Sequence, residues 1–470
     1  MVESSPANPG NMSQNDTVDV SRLVDDSGLN PLNVGLVIVG FFVVLVDGYD
    51  LVALGYAAPA LIKAWNIPNK AALGPVFSAS LFGMLAGAPL FGYVGDRLGR
   101  KAAIIGACLT LGVFTSAAAL TTSLRPLLYL RLLTGFGLGG LIPTLIAITI
   151  EYAPRRMRAT LVTIMYSGIT FGAAVPGAVS AWLVPRFGWQ VLFLFGGLFP
   201  LLMCGAVARF MPESIKYLIV SGRSQAKVSA LAARLKPGLV INPGTRFVLP
   251  EEGNYRGFSP RYLFTGDLAA ITPLLWLCYT AVLVSYFLLV SWMPTLLTAA
   301  SVPAGKAAIA TAIFQIGGMI GSLILSWLID QRGLRIISLM FAMAVPAVAL
   351  IGYVGGAEFL LIPVIFFAGF CVLSILTGLT VSTAMIYPTS IRANGSGWAI
   401  AIGRFGAMVG PMLGGWLIEM GLGFKEVLAV TASPIAVGFL ASLLYTSLGS
   451  HRLRAQELAQ APAVSQALAE

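Results

Sequence analysis

The sequence predicts an all-α membrane protein, with twelve transmembrane helices in two pseudo-symmetric bundles of six. Three observations carry that prediction. Of 470 residues, 57% are hydrophobic and 10% charged, against about 25% charged in a typical soluble protein. Apolar runs recur along the chain, each long enough to cross roughly 30 Å of hydrocarbon as a helix of about 20 residues. Two polar signatures also repeat at one fixed interval, which divides the spans six and six.

Residues 1–33 are polar, rich in Ser, Asn and Asp, and carry no basic n-region or cleavage site. They are expected to form a disordered cytoplasmic tail, not a signal peptide. The N-terminal bundle (34–211) is expected to hold spans at 34–62, 73–94, 102–121, 126–150, 158–184 and 189–211. Residues 212–268 form the one long polar loop, a basic and featureless linker containing Lys216, Arg223, Lys227, Arg234, Lys236, Arg246, Arg256 and Arg261. The C-terminal bundle (269–446) is expected to hold spans at 269–299, 305–329, 336–354, 358–385, 395–418 and 424–446, followed by a cytoplasmic tail at 447–470.

With both termini cytoplasmic, that side holds about 20 Lys and Arg and the other about 6. The chain is expected to be a multi-pass protein of a bacterial cytoplasmic (inner) membrane, and the asymmetry fixes its orientation. It also accounts for the net charge of +10 as mostly topological, so the bilayer is the expected partner and nucleic acid is not.

The halves echo each other. GDRLGRK (95–101) follows the second span and IDQRGLR (329–335) its counterpart. EYAPRRMRA (151–159) follows the fourth span and IYPTSIRAN (386–394) its counterpart. Asp96 to Asp330 and Arg158 to Arg392 are both separated by 234 residues. Duplicated six-helix units are a hallmark of secondary transporters, whose sites lie between the halves near the midplane.

The four cysteines (Cys108, Cys204, Cys278, Cys371) fall in separate apolar runs without metal-ligand spacing, and the single histidine, His451, lies in the C-terminal tail. No metal or cofactor is expected. No catalytic Ser/His pair or HExxH motif appears, so the chain is not read as an enzyme.

The layout, the Gly-Asp-Arg-x-Gly-Arg-Lys loop and PESIKYL (212–218) resemble the major facilitator superfamily over nearly the whole chain outside the tails. Within it, Asp-Gly-Tyr-Asp at 47–50 resembles the first-helix signature of the aromatic acid:proton symporters, and Arg131, Glu151 and Arg404 strengthen the match. The resemblance implies the major facilitator fold, a monomer, protons as the coupling ion, and a benzoate-, hydroxybenzoate- or protocatechuate-like substrate. Unlike part of that family, this chain has no membrane histidine, so its proton path must rely on carboxylates.

Asp47 and Asp50 share one face of a helix near mid-membrane. A charge there costs about 2.5–3.5 kcal/mol, and such groups persist when they line a cavity, find partners or carry a proton. They are the expected proton-coupling pair, titrating together; the alternative is a pair of helix-bridging carboxyls. Gly48 between them permits close helix approach, and Tyr49 points away from the acidic face. Arg404, near the middle of the eleventh span, is always charged and is expected to fork a substrate carboxylate, a first-helix aspartate, or each in turn. Arg131 lies about 10 Å from the midplane on the extracytoplasmic side by helical rise, and is read as a substrate-binding residue or a snorkelling flank. Glu151 at the cytoplasmic end of the fourth span is expected to gate with Arg155, Arg156 or Arg158, or to release protons. Asp96, Arg97, Arg100 and Lys101 form a further gating set, with Asp96 capping a helix or pairing across the seam.

The mechanism expected is uptake of an aromatic carboxylate with one or more protons by alternating access. The competing reading is a proton-coupled antiporter exporting aromatic acids or drugs. A cationic-drug site would be acidic without a central arginine, so Arg404 counts against that version. A sensor would need a larger soluble domain than the 57-residue linker.

Overall fold

The computed structural model describes residues 17–221, 225–235, 245–248, 260–354, 358–388 and 391–467. Among them, twelve helices are long and apolar enough to cross a membrane: Pro31–Ala64, Lys70–Leu98, Arg100–Ala118, Leu124–Tyr152, Arg155–Trp182, Gln190–Phe210, Leu268–Ala299, Ala304–Arg332, Arg335–Val354, Phe359–Ile386, Asn394–Glu419 and Phe424–Arg454. The chain is a multi-pass membrane protein, and these are numbered as spans one to twelve. An even number of spans leaves the first and last on one face, hereafter the terminal face.

The two halves are built alike. Span one packs on five, two on four, three on four and three on six; seven packs on eleven, eight on ten, nine on ten and nine on twelve. The 234-residue interval reaches down to single glycines. A Cβ on Gly83 would stand 2.0 Å from the Leu132 carbonyl oxygen, and one on Gly317 would stand 2.2 Å from that of Phe366. Gly87 and Gly321, and Gly135 and Gly369, repeat the relation. In membranes, where apolar burial does not distinguish helix from lipid, such small-residue contact drives association. The turns after spans two and eight use Gly99 (φ 105°) and Gly333 (φ 71°), a region that favours glycine. Arg158 Nε donates to the Ala153 carbonyl at 3.1 Å and Arg392 Nε to that of Tyr387 at 3.4 Å, again one interval apart.

A test follows from the crossing of spans two and four. A Cβ on Gly135 would lie 1.9 Å from the Ser80 carbonyl oxygen, whereas one on Gly205 meets nothing within 4 Å. Gly135→Ala is expected to lower the thermal midpoint in detergent by several degrees, since overpacking costs about 1–3 kcal/mol. Gly205→Ala should leave it unchanged or raise it. Equal midpoints for the two variants would contradict the close crossing.

The halves touch chiefly through spans five and eight, two and eleven, and one and seven. Ser78 Oγ donates to the Met408 carbonyl at 2.7 Å, and Asn69 Nδ2 to Glu419 Oε1 at 3.0 Å. Phe77 meets Trp292 edge-on at 5.1 Å. Gly55 approaches the Val290 carbonyl, and Gly415 that of Ala71. All of these lie in the half of the membrane away from the terminal face, so the seam is drawn together there.

The N-terminal tail and the linker carry more structure than expected. Thr17–Asp19 pairs in parallel with Arg246–Val248 of the linker. Asp19 then caps helix Val20–Ser27, its Oδ1 accepting from the Ser21 amide at 2.8 Å. Val20, Leu23 and Val24 form a buried stripe in one apolar cluster with Val228, Leu231 and Leu235 of linker helix Gln225–Leu235. Asp25 Oδ2 pairs with Arg155 Nε at 3.1 Å. The expected disorder thus gives way from residue 17 because three apolar side chains find a partner far along the chain. Residues 1–16, and 236–244 and 249–259 of the expected linker, lie outside the described residues. The last helix continues to Ala467 through a stretch rich in Ala, Leu, Gln and Glu, and Arg452 Nε donates to the Ile386 carbonyl at 3.3 Å.

Candidate functional site

Span one begins with a reciprocal cap. Asn30 Oδ1 accepts from the Leu32 and Asn33 amides, and Asn33 Oδ1 accepts from the Asn30 amide, all at 3.0 Å. A one-residue glycine then lets span five close against the helix: a Cβ on Gly48 would lie 2.0 Å from the Ile169 carbonyl oxygen. Tyr49 turns to span six, its hydroxyl donating to the Leu192 carbonyl at 2.9 Å. Asp47 and Asp50 are both fully buried, yet their surroundings are opposite.

Asp50 is saturated. Arg131 Nη1 donates to both carboxylate oxygens at 2.8 Å, and Nη2 to the Asp50 backbone carbonyl at 2.9 Å. Thr115 Oγ1 donates to Oδ1 at 3.0 Å. Arg131 is therefore neither at a cavity mouth nor snorkelling, as the sequence left open; it is 1% exposed and committed to Asp50 inside the N-terminal bundle. Thr115 escaped sequence reasoning, since one threonine in an apolar run carries no signal.

Asp47 is bare. Neither of its oxygens has a hydrogen-bond partner. Arg404 of span eleven acts on Asp47 electrostatically, without an ion-pair contact among the described residues. Tyr166 of span five stands close to both, and close to Tyr279 of span seven. Tyr166 is nevertheless 45% exposed, and Arg404 is partly exposed. Groups from both halves thus come near one another close to mid-membrane, with Asp47 buried and Tyr166 and Arg404 exposed in part. The seam is drawn together on the side of them away from the terminal face.

A second polar cluster closes that face of the N-terminal bundle. Glu151 pairs with Arg100 (Nη1–Oε1 2.7 Å) and accepts from Ser214 Oγ at 2.6 Å. The arginines expected beside it are engaged elsewhere, Arg155 with Asp25 and Arg158 with the Ala153 carbonyl. Arg100, at the start of span three, follows Gly99, whose φ of 105° makes the turn out of span two. The cap of span three comes from Glu213, whose Oε1 accepts from the Lys101 amide at 3.1 Å and from the Ser214 amide at 2.8 Å. Asp96, read as a candidate cap, is exposed and makes no hydrogen bond or ion pair among the described residues. The Arg97 guanidinium lies over the Tyr93 ring at 5.3 Å. Glu213 sits in the PESIKYL stretch already quoted for its resemblance, which was the available signal.

The profile of the Major Facilitator Superfamily matches residues 40–251 and 275–468. The chain belongs to the major facilitator superfamily. It is thus a transporter and not an enzyme, and the resemblance carried by the loop and first-helix motifs is the relationship found. The 4-hydroxybenzoate transporter of Acinetobacter baylyi is 37% identical, the match covering 96% of this chain and 98% of that one. A gallate transporter of Pseudomonas putida is 34% identical, with 95% and 98% covered. Among solved structures, the xylose transporter of Escherichia coli in an inward-open conformation is similar, with a TM-score of 0.66 at 16% identity over 90% of this chain and 99% of that one. At that identity the likeness concerns the fold.

Proposed function

We propose that this chain takes up an aromatic carboxylate together with protons, by alternating access, across a bacterial cytoplasmic membrane with the terminal face inside. The observation that carries the reading is the pairing pattern: Asp50 is neutralised by Arg131, while Asp47 and Arg404, from opposite halves, act on each other without an ion-pair contact. Arg404 is the seat of the substrate carboxylate. Asp47 takes the proton, which removes both the cost of its unpaired charge and its repulsion of the incoming anion. Asp50 shares the proton path, since its protonation frees Arg131 to meet substrate when the carrier faces outward. Asp96, Arg97, Arg100, Glu151 and Arg158 form the inner gate, with Asp96 unpaired among the described residues and available to pair when the gate shuts. The charge asymmetry of the loops supports the orientation, and the names of the relatives support the substrate class. The carrier acts as a monomer.

The test is uptake of labelled aromatic acids by proteoliposomes under an imposed inward proton gradient. The unmodified protein should accumulate substrate only with the gradient. Asp47→Asn should lose gradient-driven accumulation by at least tenfold while still exchanging substrate for substrate. Accumulation indifferent to the gradient, or driven by an outward one, would end the symport reading and favour export.

A further inference from the structure

Just beyond Arg404, toward the closed side of the seam, three polar side chains meet from both halves. Tyr56 comes from span one, Tyr286 from span seven and Gln315 from span eight. Gln315 Nε2 donates to the Tyr286 hydroxyl at 3.1 Å, and the Tyr56 and Tyr286 hydroxyls are close enough to act on each other electrostatically. Gln315 is 1% exposed and Tyr56 2%. The Gln315 Oε1 and Tyr56 hydroxyl atoms are buried with no hydrogen-bond partner. A polar group buried without a hydrogen-bond partner is costly, so two in one small cluster call for a partner. Nothing in the mechanism above uses them.

The cluster has the setting of a ligand subsite. Tyr286 is its partly exposed member, and its ring lies near Phe314 at 6.4 Å and against Phe287 at 5.1 Å. Measured from the midpoint of each span at about 1.5 Å per residue, Tyr286 and Gln315 lie about 4 Å to the closed side and Arg404 about 4 Å to the open side, an axial separation of about 8 Å.

We propose that Gln315, with Tyr56 and Tyr286, reads a hydroxyl group on the substrate ring distal to the carboxylate, and so selects ring-hydroxylated acids over unsubstituted ones. This rests on Arg404 being the carboxylate's seat. A phenolic hydroxyl can donate to Gln315 Oε1 or accept from the Tyr56 hydroxyl, and so meet an orphaned atom in either role. A carboxamide turned the other way would donate to the same hydroxyl, so the match survives either orientation. An acid without the hydroxyl leaves both atoms unmet, which is the situation in which polar sites discriminate most strongly.

Titration calorimetry on the purified protein tests this, with benzoate, 3-hydroxybenzoate, 4-hydroxybenzoate and 3,4-dihydroxybenzoate as probes. The unmodified protein should bind at least one hydroxylated acid tenfold or more tighter than benzoate. Gln315→Leu should bring that ratio to within threefold of one, and Tyr56→Phe should lower it as well, serving as the second variant if Gln315→Leu fails to fold. A ratio near one in the unmodified protein, or a ratio untouched in both variants, would overturn the assignment. A purely structural cluster would weaken every acid alike and leave the ratio intact. Arg404→Gln separates the two readings, since it should weaken all four acids together. Should it weaken none while the hydroxyl preference persists, the carboxylate seat is wrong and the hydroxyl subsite stands. Absence of binding by any of the four acids to the unmodified protein would sink both.

Discussion

Arg131→Met is expected to give the largest loss of stability of any single change in the membrane core. It strips Asp50 of the two contacts to its carboxylate and of the donor to its backbone carbonyl, leaving Thr115 as its remaining partner. Breaking a fully buried pair from one side costs about 3–5 kcal/mol, because the surviving charge has nothing to answer it. The pair itself is a different matter, since two desolvated charges return little net energy. Combining Arg131→Met with Asp50→Asn should therefore recover a good part of the lost stability, the signature of coupled groups. Thermal melts of the detergent-purified single and double variants measure this. A double variant no better than Arg131→Met alone would show that the two side chains do not depend on each other.

Arg404→Gln is expected to lower uptake about 100-fold at low substrate while leaving the melting temperature nearly unchanged. Arg404 makes no hydrogen bond or ion pair among the described residues, so the fold loses little when it goes. A carboxylate held by a guanidinium gains about 1.5–3 kcal/mol from a charge-assisted bond, and about 2.7 kcal/mol corresponds to 100-fold. Arg404→Lys should fall between, keeping the charge and losing the fork. The contrast with Arg131 is the point: two buried-region arginines, one expected to fail in the melt and the other in the transport assay. Retained uptake in Arg404→Gln would remove the anion seat from the mechanism.

Much of this architecture is legible in the chain. Span number and the halving come from hydropathy and from the recurrence of Asp96 at Asp330 and Arg158 at Arg392, because lipid permits so few backbone arrangements. The aspartates and Arg404 stand out because charge is so scarce there. What could not be read is which cation serves which acid. Arg131 and Arg404 look alike in sequence, and only the crossing of spans one, three and four sends Arg131 to Asp50. Glu151 faced the same ambiguity among neighbouring arginines, and its partner, Arg100, comes from another span. The ordered stretch at 17–27 was hidden for another reason: three apolar residues in a polar tail are too few to signal a helix until their distant partner is known.

The far seal of the seam is thin in polar terms. Ser78 to Met408 and Asn69 to Glu419 are two hydrogen bonds, together worth about 1–3 kcal/mol. A latch of that size is tipped by any solute that prefers one posture over the other by roughly ten- to a hundredfold. In the proposed cycle, undoing these two polar contacts is within reach of the binding preference of a single small guest.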